Sequence, residues 1–102
     1  MNSGDKIRLE QMYKMYRKRM WYTAFKILND GYEAEDAVHE AFIRIANSFK
    51  NMPHDVESLK TLSYLIKTVK NVSLNMLYDK NKRDQLVAID ELFGLHDDQE
   101  LD

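Results

Sequence analysis

The chain has 102 residues, 44% of them hydrophobic and 31% charged, enough for one compact domain and too few for a second with its own core. It holds no cysteine, which excludes a disulfide framework or a thiolate metal site and fits a cytoplasmic setting. Its net charge of −2 conceals an asymmetry: residues 1–83 carry all fifteen Lys and Arg against ten acids, a balance of +5, while seven acids and no Lys or Arg follow from Asp84 onward.

The opening, Met1 to Lys6, is polar and no unbroken apolar run follows it, so neither a signal peptide nor a membrane span is expected. One proline and three glycines interrupt the chain, and apolar residues recur at helical spacing. The first helix is predicted from about Arg8 to Leu28, with Leu9, Tyr13, Tyr16, Met20, Ala24 and Ile27 on its inner stripe and Gly31 in the left-handed position after it. Within it, Arg17-Lys18-Arg19 spans most of a turn, so part of the triple faces solvent and adds positive field.

The second helix is predicted from about Glu33 to Phe49, opening on acids that suit its dipole and burying Ala34, Val38, Ala41, Ile45 and Phe49. Lys50 to Ser58 reads as a loop, because Pro53 disfavours a helical Met52 and Asp55 or Ser58 can cap a new helix. The third helix is predicted from about Leu59 to Lys82 around Leu62, Leu65, Ile66, Val69, Val72 and Met76. The fold class is therefore all-α: a compact bundle of three long helices, with room for a short additional element at Leu86 to Ile89 and a flexible acidic C-terminal tail. Residues 1–83 form the expected domain and 84–102 a linker.

No catalytic constellation emerges. His39-Glu40 begins like a zinc-protease helix, but the second histidine one turn on is replaced by Ile43. His54 and His96 have no ligand-spaced partner, and Gly4, Gly31 and Gly94 are too scattered to cradle a phosphate. Neither an enzyme nor a cofactor is expected.

Two faces carry chemistry. Along the third helix Lys60, Tyr64, Lys67, Asn71, Asn75 and Tyr78 share one side, with Lys70 at its margin and Lys80, Lys82 and Arg83 beyond. Cations, aromatic rings and amides on one stripe suit phosphate neutralisation, stacking and base-edge hydrogen bonds to single-stranded nucleic acid. The same residues also suit a plainer arrangement of half-buried tyrosines and solubilising lysines. Asn51, His54, Asp55 and Ser58 in the preceding loop are candidates for contacting an extruded base, or for capping alone. On the second helix Asp36, His39, Glu40 and Ile43 form an exposed row able to receive a basic partner helix, or simply solvent.

The segment from Glu33 to Arg44, EAEDAVHEAFIR, resembles the acidic "AED-hydrophobic-Q-E-T-F" motif of extracytoplasmic-function RNA polymerase sigma factors, and Tyr64 to Asn71, YLIKTVKN, resembles their "W-L-Y-R-I-A-R-N" motif. Leu9 to Leu28 is similar to their opening helix, so the resemblance covers about Leu9 to Arg83, the region 2 domain. It implies that Asp36, His39, Glu40 and Ile43 dock on the clamp helices of the polymerase largest subunit. It also implies that Tyr64, Lys67, Asn71 and the loop from Asn51 to Ser58 open the −10 promoter element and hold a flipped non-template base. An anti-sigma factor is a further implied partner. His39, Ala41, Tyr64, Asn75 and Tyr78 depart from the family's usual Gln, Thr, Trp, Asp and Arg, so promoter preference does not carry over. The helix-turn-helix domain that reads the −35 element, normally reached through a linker like Gln85 to Asp102, is missing from the chain, as in a fragment or a single-domain relative. Against this stands a second hypothesis, a helical protein-interaction module that regulates polymerase or an anti-sigma factor without melting DNA; burial of both tyrosines would favour it.

Overall fold

Asn2 decides where the first helix begins. Its side-chain oxygen accepts the Asp5 backbone N–H at 2.8 Å, and in the computed structural model, which describes residues 1–93, α1 spans Ser3–Leu28. The start lies earlier than the predicted Arg8, because a capped first turn with Asp5 at the positive dipole end sustains the polar residues ahead of the apolar stripe. At the other end it is Asn29, not Gly31, that takes the left-handed conformation, with φ 54°. Asn tolerates that region, and Asp30 then caps α2 by accepting the Glu33 N–H at 2.9 Å, which leaves Gly31 as the first residue of the next helix.

α2 spans Gly31–Asn47 and ends before the predicted Phe49. The Ser48 backbone N–H is shared between the Arg44 and Ile45 carbonyls, its hydroxyl donates to Arg44 O at 3.0 Å, and the chain tightens into a 3-10 turn over Phe49–Asn51. After a loop, α3 spans Leu59–Phe93. It does not stop near Lys82: residues 84–93, with the short additional element expected at Leu86 to Ile89, continue the same helix. No Gly or Pro occurs between Leu59 and Phe93, and the switch from basic to acidic side chains at Asp84 does not break a helix as those residues do. The acidic tail expected beyond it, 94–102, lies outside the described residues.

The three helices pack on one another as an all-α bundle around Met12, Tyr16, Met20, Ala24 and Leu28 of α1, Ala34, Ala37, Val38, Ala41, Phe42 and Ile45 of α2, and Leu65, Val69 and Val72 of α3. Leu9, Tyr13 and Ile27 lie at the edge of this core, and so do Leu62, Ile66 and Met76. Two buried hydroxyls sit on α3: Ser73 donates to Val69 O at 2.7 Å, and Thr61 donates to the Asp55 carbonyl. Among the described residues no helix is long and apolar enough to cross a membrane.

Candidate nucleic-acid interface

One α-helical residue advances the side-chain direction by roughly 100°, so Lys60, Tyr64, Lys67, Asn71, Asn75 and Tyr78 fall within roughly 80° of the α3 circumference, away from Leu65, Val69 and Val72. All are exposed except Tyr64, which is half-buried against the core; Tyr78 is 67% exposed. The stripe thus presents one anchored ring, one free ring, two lysines and two amides. Lys70 lies on the adjoining side, where with Lys67 it borders a shallow depression floored by Leu62 and Ile66. Arg83 is exposed but turned roughly a quarter-turn from the stripe. Lys80 is drawn the other way, since its Nζ lies 3.6 Å from Glu33 Oε2, tying α3 to the first turn of α2.

The loop before α3 is held by atoms distant in sequence. Arg8 donates to the Pro53 carbonyl at 3.0 Å and to Asp5 at 3.2 Å, with its guanidinium 4.7 Å from the centre of the Phe49 ring. The Tyr16 hydroxyl donates to Val56 O at 2.8 Å. Within the loop, Asp55 Oδ1 accepts the Glu57 N–H at 3.0 Å, and Ser58 Oγ accepts the Thr61 N–H at 3.1 Å as the cap of α3. Both side chains are therefore engaged in shaping the turn, whereas Asn51 and His54 point to solvent. Arg8 and the Tyr16 hydroxyl were not singled out from sequence, because a single contact across forty residues leaves no periodic trace. The nearest signal was a cation set in the apolar side of α1.

On α2, Asp36, His39, Glu40 and Ile43 are all exposed, Ile43 by 55%. His39 Nε2 stands 3.1 Å from Glu35 and Arg44 Nε 3.3 Å from Glu40, both one turn apart on the surface and worth little to stability. Asp36 makes no ion pair with a described residue.

Residues 12–83, well over half of the sequence, match the family model of Sigma-70 region 2. The chain belongs to the sigma-70 region 2 family. Comparison with curated proteins and with solved structures yields no match. Region 2 is a transcription-factor domain that serves initiation by binding core RNA polymerase and the −10 promoter element. The matched span of this sigma region 2 domain takes in most of α1, all of α2, the loop and α3 as far as Arg83, and so contains both the acidic row and the polar stripe. The last ten residues of α3 lie beyond it.

Proposed function

We propose that this chain is the promoter-opening domain of an extracytoplasmic-function sigma factor, working in the cytoplasm within residues 1–83, with 84–102 leading toward a helix-turn-helix domain. The observation that carries the reading is the α3 stripe: Lys60, Lys67, Asn71, Asn75 and Tyr78 are exposed on one side, with Tyr64 anchored among them. In this reading Lys60 and Lys67 neutralise phosphates of the non-template strand, Tyr64 and Tyr78 stack on separated bases, and Asn71 and Asn75 meet base edges. Lys70 and Arg83 contribute field from the flanks.

Extruding a base costs a few kcal/mol, which a concave site must return. In this reading the loop from Asn51 to Ser58 receives that base, with Asn51 and His54 as side-chain contacts and with Asp55 and Ser58 holding the turn. The row Asp36, His39, Glu40 and Ile43 receives the clamp helices of the polymerase largest subunit, with Asp36 the acid least occupied by its own helix. An anti-sigma factor that covers either face silences the domain.

The test is a capture of core polymerase followed by opening of a −10 promoter fragment, with wild type and Tyr64→Ala compared. Polymerase capture by both, with opening by wild type alone, supports the reading. Capture without opening by either favours an interaction module that does not melt DNA.

A further inference from the structure

The part of α3 beyond the bundle exposes more apolar surface than its surroundings explain. Among the described residues no hydrophobic side chain after Leu77 joins the core or its margin, yet Leu86, Val87, Ile89 and Leu92 follow on a regular helix, 55%, 54%, 45% and 76% exposed. Leu86, Ile89 and Leu92, three residues apart in turn, run along one side of the helix, and exposed apolar surface of this kind marks a contact. Three cations, Lys80, Lys82 and Arg83, with Asp84 beside them, precede Leu86, Val87 and Ile89, and two acids, Asp90 and Glu91, follow those three.

Arg83 and Asp90 are seven residues apart, so they project from the same flank of α3 two turns from each other, too far to pair within the helix. Neither forms an ion pair with a described residue. Midway between them lie Leu86 and Val87. A second copy of the helix laid antiparallel about that midpoint brings Arg83 against the other copy's Asp90, and the reverse contact follows by symmetry. In that register Leu86 of each copy lies level with Val87 of the other and about 3 Å along the axis from its Ile89. A partner of uniform charge would match one end and repel the other.

We infer that the protruding end of α3 is a self-association surface on which a second copy of this chain docks antiparallel, joined by Leu86 and Ile89 and aligned by reciprocal Arg83–Asp90 pairs. Three helical turns bury well under the area of a standard interface, so the dimer is weak, with a dissociation constant on the order of 100 µM. The contact is isologous and closes at two copies. It does not depend on the promoter-opening function.

The test is sedimentation equilibrium of the full 102-residue chain from about 10 µM to about 1 mM, a range that brackets such an affinity. Wild type is expected to shift from monomer to dimer. Arg83→Glu and Asp90→Arg, each alone, place like charges in both reciprocal contacts and weaken dimerisation at least several-fold, whereas an equimolar mixture of the two restores it because both contacts again join opposite charges. Leu86→Glu abolishes it. These residues are exposed, and an unchanged helical circular dichroism spectrum verifies folding of each variant. Wild type that stays monomeric at the highest concentration overturns the proposal and leaves the face to a different partner. Single reversals that dimerise like wild type, or a mixture that does not recover, overturn the antiparallel geometry.

Discussion

Tyr64 serves two environments at once. One edge of its ring packs on the core and the rest looks outward along the stripe, so its position is fixed before any strand arrives. Tyr64→Ala should therefore cost about 2 kcal/mol of folding stability through lost burial, and separately about 1–3 kcal/mol of strand binding through lost stacking. Tyr64→Phe keeps the ring and should preserve both, which thermal melts and strand titrations will distinguish. Tyr78, largely free of the core, should show the binding loss on change to Ala with less than about 0.5 kcal/mol lost in stability. On α2, Asp36→Lys with Glu40→Lys should weaken association with core polymerase by about 2 kcal/mol or more while leaving single-strand binding unchanged. Equal polymerase affinity for the double variant in a pull-down titration would dismiss the docking assignment.

At the level of elements, the loop before α3 matters most, because it sets the angle at which the stripe is presented. Ser58 caps α3, and Thr61 is buried with its hydroxyl on the Asp55 carbonyl. Ser58→Ala should cost about 1 kcal/mol as a lost cap, and Thr61→Val about 1 kcal/mol through the lost hydroxyl bond, since the Asp55 carbonyl still accepts from Ser58. Arg8→Ala removes the hydrogen bond to Pro53 O and the packing on Phe49, and amide exchange should quicken across the loop with α2 unaffected. The three helices and their inner stripes were legible in the sequence because a 3.6-residue period is a direct image of burial; Ala34, Val38, Ala41, Ile45 and Phe49 are all buried as expected. What periodicity does not record was harder to read. Asn29 and Gly31 are both able to follow a helix, and the cap supplied by Asp30 chose between them. Asp55 and Ser58 belong to residue types that cap turns and contact bases alike, so their engagement in the turn became visible only from the hydrogen bonds. The length of α3 was not legible because its core-facing stripe ends near Met76, while the helix runs on to Phe93 without further burial to mark it.

At the scale of the whole molecule, the described residues form an elongated body, 57 × 27 × 19 Å, with the acidic row on α2 and the basic, aromatic stripe on α3. In the proposed function, opposite charge on different helices would let one small domain hold a basic protein partner and a phosphate chain together despite a net charge of −2. With few lysines on the stripe, strand affinity should fall with salt along a shallow logarithmic slope, on the order of −2 to −4. The proposed grip of α3 on the non-template strand comes into play once polymerase holds the domain. Its most direct measurement is the affinity of the polymerase-bound protein for a single-stranded −10 oligonucleotide, wild type against Lys67→Glu with Asn71→Ala. Loss of roughly tenfold or more in strand affinity, with a flatter salt slope and unchanged polymerase binding, is the predicted result. Equal strand affinity and equal salt slope for the two proteins would mean that α3 does not hold the strand.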